Sequence, residues 1–335
     1  MGRRNKSTYL IIALTCLILL NLGSMLIVFT KNIDNFKGGE VRLLGKLKKA
    51  LRVDNIVQEV MKFPFPKKDD KKDPSDNENE LEIYDDFIIT DALEEYENLI
   101  IVKDSSGKDS IENIPEPLNI KKIEVDKDKP YIYIYHTHAT ETFSPYKDNN
   151  YHTTDNKKNM VNIGEILTKV LEAGGHKVIH EKTHHDIPSY NQSYSRSLNS
   201  LERVMKKEKN LKIFLDLHRD GIEMDKPNYK KRLATFKTEI EGKPTATFSL
   251  VVGPHSPNYE QVLNFAKYIK AVSDVMYPDL CTGIIVKKVG KFNQFVSDYA
   301  ALLEIGSNGN TLEEVEECIK LVGDVLDVAI RSIQK

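Results

Sequence analysis

From residue 130 onward the chain alternates between two hydrophobic periods. Residues 131–135 (Tyr-Ile-Tyr-Ile-Tyr) read as a strand. Over 161–173, Ile163, Ile166, Leu167, Val170 and Leu171 recur at i, i+3, i+4, i+7 and i+8, the stripe of an amphipathic helix, and Gly174-Gly175 stop it. A short strand follows at 177–179, a helix at 193–207 and a buried strand at 211–217. Residues 231–239 and 245–252 alternate like two strands around a Glu241-Gly242-Lys243 turn. An amphipathic helix is expected at 259–276, strands at 282–289 and 300–305, and a last helix at 311–333 opened by the capping box Thr311-x-x-Glu314. Strands and helices in alternation predict an α/β domain over 129–335, a mixed sheet with helices on both faces.

The N-terminal part is built differently. Arg3, Arg4 and Lys6 precede an uncharged, Leu- and Ile-rich stretch at 7–30, about 24 residues and long enough to cross a bilayer as one helix. No small-residue cleavage site follows Phe29, so residues 1–31 are expected to be a cytoplasmic tip and an uncleaved signal anchor. The basic residues before the span place the N-terminus in the cytoplasm and the rest outside. Within 32–128, residues 38–62 carry Leu43, Leu44, Leu47, Leu51, Ile56, Val57 and Val60 at helical spacing, a juxtamembrane helix that rests on headgroups, packs on a partner or serves as a spacer. Residues 63–80 (FPFPKKDDKKDPSDNENE) are too charged to bury a core and read as a linker. Residues 81–126 fit a helix and a strand, and the pattern leaves open whether these form a small module of their own.

Composition narrows the partners. The 335 residues carry a net charge of -2, with no global basic bias, so nucleic acid is not expected as a partner. Cys16 falls in the apolar span. Cys281 and Cys318 remain, and their spacing does not say whether they pair. No CxxC occurs, which argues against a Cys-based zinc site.

Active sites of open α/β sheets lie beyond the carboxyl ends of the strands. There the sequence places His136-Thr137-His138-Ala139-Thr140-Glu141 after the first strand, His218-Arg219-Asp220 after the strand at 211–217, and Glu304 near the end of the strand at 300–305. Two imidazoles and a carboxylate are the ligands of a catalytic zinc, which leaves one position for water. Glu304 interrupts the apolar run Ala300, Ala301, Leu302, Leu303, Ile305; a buried carboxylate of that kind is costly unless used, and it suits a general base. His184-His185-Asp186 lies in a loop, either binding substrate or solvated. His152, His176, His180 and His255 read as structural or surface residues. His218-Arg219-Asp220 echoes the kinase H-R-D loop, but Asp225 stands where its Asn belongs, and no G-x-G-x-x-G or G-x-S-x-G occurs.

The blocks IYHTHATETFSPY, HHDIPSYNQSYSRS, FLDLHRDG and GKFNQFVSDYAALLEIGSNGNTLEE, in this order and with the N-terminal span, resemble the stage II sporulation protein P family. The likeness covers about residues 129–335 plus the anchor. It implies a cell-wall hydrolase similar in fold to the zinc N-acetylmuramoyl-L-alanine amidases, with amidase and cross-link endopeptidase activity on peptidoglycan. It also implies action in forespore engulfment with the stage II sporulation proteins D and M, from the septal or mother-cell membrane. Position by position, it implies zinc ligands at His138 and His218 and the catalytic Glu at Glu304. The amidases' Glu ligand at the start of the first helix meets Lys158 here, so Glu141 is the expected replacement. His136 is the alternative, since i and i+2 on a strand share a face. Arg219 or the metal is expected to steady the oxyanion, and His185, Asp186, Asn293 and Gln294 to hold substrate. A non-catalytic membrane scaffold and a different tethered metallohydrolase, such as a carboxypeptidase, are the competing readings.

Overall fold

The computed structural model describes residues 86–335 apart from 91, 97–98, 104–109 and 146–150. The expected membrane span, juxtamembrane helix and linker lie outside the described residues; among those described, no helix is long and apolar enough to cross a membrane. Leu81–Lys335 forms one compact unit.

Its strands are β1 (Phe87–Ile89), β2 (Leu99–Lys103), β3 (Ser110–Pro115), β4 (Ile132–Tyr135), β5 (Val178–His180), β6 (Ile213–Asp220), β7 (Lys237–Ile240), β8 (Lys243–Ala246), β9 (Phe248–Val252), β10 (Cys281–Val286) and β11 (Tyr299–Ser307). Its helices are α1 (Met160–Ala173), α2 (Ser193–Lys207), α3 (Tyr229–Ala234), α4 (Tyr259–Met276) and α5 (Leu312–Ile333). Seven strands make the main sheet in the order β1-β10-β9-β11-β6-β4-β5. Strands β11, β6, β4 and β5 run parallel, β9 and β10 run against them, and β1 pairs antiparallel with β10. The sheet is therefore mixed, as expected.

Alternation along the strands divides the core in two. Ile132 and Ile134 of β4, Ile213, Leu215 and Leu217 of β6, and Ala301 and Leu303 of β11 share one large cluster with the buried faces of α1, α4 and α5. Tyr133, Tyr135, Phe214 and Ala300 point the other way, onto Leu201, Val204 and Met205 of α2. Helices cover both faces, three on one side and α2 on the other. The last helix opens with the expected capping box: Glu314 N donates to Thr311 Oγ1 at 3.2 Å, and Thr311 N to Glu314 Oε2 at 3.1 Å.

Several expectations change. Strand β6 does not stop at 217, because its pairing with β11 continues through Glu304↔His218 and Ser307↔Asp220. Residues 231–234 belong to α3 rather than to a strand. The expected strand 245–252 is two elements: β8 closes a separate hairpin with β7 over Glu241-Gly242, both at positive φ (54° and 76°), whereas β9 joins the main sheet. In the 81–126 region, β1 is a strand of the main sheet and β2–β3 form their own hairpin. Cys281 and Cys318 are free, buried thiols.

Candidate active site

The face of the sheet under α2 carries the chemistry. Counting in twos from Phe214 along β6 leads to Asp216 and His218, and from Ala300 along β11 to Glu304; all three side chains share that face. His218 and Glu304 are register partners on adjacent strands, so backbone pairing rather than a loop sets their spacing. After β4 the chain turns at 137–140 and brings His138 beside His218, the ring centroids 5.2 Å apart and the planes nearly perpendicular at 81°. Glu141 follows, its Oε2 3.8 Å from His218 Nδ1. Backbone bonding delivers it: Glu141 O accepts from Met160 N, the first residue of α1, at 3.1 Å. The carboxylate thus arrives beside the start of the helix, where Lys158 cannot supply one; Lys158 instead pairs with Asp155 at 3.6 Å on the surface.

Burial sets the electrostatics. His138, Glu141 and His218 are all buried. Desolvation, reinforced by His218, drives the His138 ring down to about 2. Burial also pushes Glu141 up, against the pull of Arg219 and His218. For His218, burial lowers the pKa, but the carboxylates of Asp216, Glu141 and Glu304 outweigh it and hold the ring at about 10. Glu304, buried and partly offset by His218, is raised to about 8. Its Oε2 has no hydrogen-bond partner, and neither do His138 Nδ1 and His218 Nε2.

The side chains of His138 and His218, with the Glu141 carboxylate, are the donor types zinc takes: two imidazoles and one carboxylate, with the Glu304 carboxyl as a second carboxylate beside them. Among the described residues no three such side chains are already gathered as a metal cluster, so the fit lies in donor chemistry and burial.

Two aromatic rings wall the site. Tyr190 stacks on His138 with centroids 3.9 Å apart and planes 4° apart, yet stays half exposed; burial raises its hydroxyl to about 12. Tyr194, on α2, lies edge-on to His138 at 5.7 Å and parallel to His218 at 6.4 Å.

Other expected site residues are placed differently. His136 is buried on the opposite side, under α1, where its Nε2 meets His180 Nε2 at 2.8 Å. A Cβ at Gly164 would stand 2.6 Å from that His136 atom. The chain leaves the strand at Tyr135 and turns, so His136 and His138 do not share a face. Arg219, next to His218 in a strand, points to the other side. Its Nε donates to Thr142 O, Nη2 to Tyr151 O and Nη1 to Asp220 O, at 3.0, 3.0 and 3.2 Å, so it ties down loops instead of facing the imidazoles. Asp186 braces the turn between His138 and Glu141, accepting from Thr140 N at 3.1 Å and Thr140 Oγ1 at 2.5 Å; His185 is buried beside it with Nε2 unpartnered. Asn293 donates to Tyr194 O and Ser197 Oγ, at 2.9 and 3.0 Å. Gln294 is spent on Gly253 N and Val251 O, at 2.8 and 2.7 Å. Both side chains therefore bond protein.

Three residues escaped the sequence reading: Asp216, Tyr190 and Tyr194. Asp216 carried a usable signal, a carboxylate in the apolar strand Ile213–Leu217 two residues before His218. The tyrosines lie in the quoted YNQSYSRS block, with nothing in its spacing to single them out.

Residues 31–327 match the family model described as Stage II sporulation protein P. The Stage II sporulation protein P of Bacillus subtilis (strain 168) is 31% identical over 216 residues, 59% of this chain and 50% of that protein, so the alignment spans about half the length of this curated relative. Among solved structures, the CwlD amidase from Clostridioides difficile in complex with the GerS lipoprotein is 12% identical, with a TM-score of 0.39 over 61% of this chain and 98% of that one. The N-acetylmuramoyl-L-alanine amidase AmiC2 of Nostoc punctiforme is 12% identical, with a TM-score of 0.37 over 62% and 97%. With its match running through nearly the whole length, the chain belongs to the stage II sporulation protein P family.

Proposed function

We propose that this protein is a membrane-anchored, zinc-dependent peptidoglycan hydrolase, an N-acetylmuramoyl-L-alanine amidase that also cleaves peptide cross-links. It remodels the wall during forespore engulfment alongside the stage II sporulation proteins D and M. The observation that carries the reading is the buried Glu304, its Oε2 unpartnered, paired in register with His218, whose ring stands beside His138 and Glu141. A folded domain keeps so costly an arrangement only where it is used.

His138, Glu141 and His218 would hold zinc, whose Lewis acidity polarises an amide carbonyl and lowers the pKa of water. Glu304 takes the proton of the attacking water on Oε2 and hands it to the departing amine nitrogen. Burial favours the protonated form of this carboxyl, which suits its second task of delivering the proton to the leaving nitrogen. Tyr190 and Tyr194 shield the imidazoles from bulk water, and Asp186, through Thr140, fixes the turn that carries His138.

The test is to incubate the 81–335 unit with purified peptidoglycan, with chelator and then with added zinc, and to identify products by mass spectrometry. Free stem peptides that vanish with chelator and return with zinc support the amidase, and severed cross-links the endopeptidase. An intact wall under every metal tested, with the full chain and with partners D and M added, would favour the scaffold.

A further inference from the structure

Beneath the two imidazoles lies a carboxylate with no part in the scheme above. Asp216 is 1% exposed. Its Oδ1 accepts from Thr137 N at 2.8 Å, and its Oδ2 from Thr137 Oγ1 at 2.6 Å. The same Oδ1 stands 3.0 Å from His218 Nε2, a charge contact that lies off the line of a hydrogen bond. The opposite ring nitrogen, Nδ1, looks toward Glu141 Oε2. The pin on Thr137 extends further: Thr137 Oγ1 meets Ser197 Oγ of α2 at 3.0 Å, and Ser197 Oγ accepts from Asn293 Nδ2 at 3.0 Å.

A buried carboxylate is destabilising unless its lone pairs are satisfied. Thr137 satisfies two of them, one on each oxygen, and those bonds hold the carboxylate with Oδ1 3.0 Å from His218 Nε2. A ligating imidazole needs its second nitrogen protonated and held by an acceptor, which sets the tautomer and raises the basicity of the first. Asp216 Oδ1 is the carboxylate oxygen that stands on the Nε2 side, 3.0 Å away, and on the Nδ1 side stands another candidate ligand. Thr137 precedes His138, so the one carboxylate braces both imidazoles: His218 across a ring nitrogen, and His138 through the backbone of its turn.

We propose that Asp216 is the positioning residue of this metal centre: it keeps the His218 proton on Nε2, so that His218 offers Nδ1 to the zinc beside Glu141. This rests on the zinc-hydrolase reading. It goes further by assigning the ligating atom and by giving a role to a residue outside the donor set.

The experiment uses the full chain in detergent, with wild type, Asp216→Asn and Thr137→Val compared in melting temperature and in zinc affinity against a competing chromophoric chelator. Histidine-selective 15N spectra of the zinc-loaded wild type identify the protonated nitrogen of His218, assigned by the signal lost in His218→Gln. Asp216→Asn is expected to weaken zinc binding about 10–100-fold. With zinc in excess, its kcat falls while KM stays within about twofold. Thr137→Val, which removes one hydrogen bond to Oδ2, is expected to weaken zinc binding about fivefold. The wild-type spectrum should show the proton on Nε2. A proton on Nδ1, or zinc affinity within about twofold of wild type in a folded Asp216→Asn, would overturn the assignment while zinc-dependent wild-type cleavage left the hydrolase reading standing. A wild type that binds no zinc would remove both.

Discussion

Replacing Glu304 by Gln removes the ionisable group and keeps the shape, and the structure says what that does to stability. In the unfolded chain this carboxyl titrates near 4.5, and in the fold, where burial dominates, near 8. A folded-state pKa above the unfolded one means that the fold favours the protonated form. Its contribution is fully present below about pH 4.5 and is lost as pH rises through 8. At pH 7 the displacement amounts to about 2.5 units of the available range, or about 3 kcal/mol at 1.36 kcal/mol per unit. Gln cannot ionise and escapes this loss. The metal-free Glu304→Gln unit should therefore match wild type at pH 4.5 and exceed it by about 3 kcal/mol at pH 7, a rise in Tm of about 6–12 °C for a domain of this size. The assay is calorimetry of the 81–335 fragment in chelator at pH steps from 4.5 to 8, followed by wall cleavage after zinc is restored. Activity should vanish as stability rises. A Tm difference that stays flat with pH would falsify the claim that burial holds Glu304 protonated in the fold.

Three further outcomes are expected. His138→Ala and His218→Ala should each lose zinc binding and wall cleavage together, whereas Glu304→Gln keeps the metal; equilibrium dialysis with metal analysis separates the two classes. His180 is held at about 4 by burial, with Lys182 adding to the effect. The unfolded chain therefore takes up a proton below about pH 6.5 that the fold refuses, and this buried ring alone should make urea stability about 2 kcal/mol lower at pH 5 than at pH 7. His180→Gln should lose less over that interval, and an equal loss would contradict the assignment. Gly323→Ala, which at an exposed helix position would gain about 1 kcal/mol, places a Cβ 2.5 Å from Val170 Cγ1 where α5 crosses α1. Overpacking of about 1–3 kcal/mol should turn the gain into a loss, read as a lower Tm.

Much of this fold lies in plain periodicity. The stripe at 161–173, the Gly pair ending it and the Thr311–Glu314 box all specify local geometry that tertiary packing does not override. The His218–Glu304 pair was legible for a related reason: each polar group interrupts an apolar strand at its carboxyl end. Faces were harder to read, because period two assigns a side only while the strand lasts. One strand ending at Tyr135 sent His136 under α1, and another running on to Asp220 turned Arg219 away from the imidazoles. Asn293 and Gln294 looked free in sequence, but long-range carbonyls and amides claim them, and nothing local announces such partners. Asp216 was passed over because Thr137, which gives it its direction, lies 79 residues away.

Strand β1 bears on how the molecule takes a load. Among the described residues it holds three residue pairs with β10, at the edge of the sheet, and it sits close because position 283 is Gly: a Cβ there, at φ 148°, would lie 2.7 Å from Ile89 O. Among the described residues, tension arriving along the chain from the N-terminal side meets this short strand first, while β10, β9 and β11 stand between it and β6. Three pairs yield before nine-residue β11 does, so β1 acts as a mechanical fuse: a tug peels the edge and leaves the spacing of His218 and Glu304 intact.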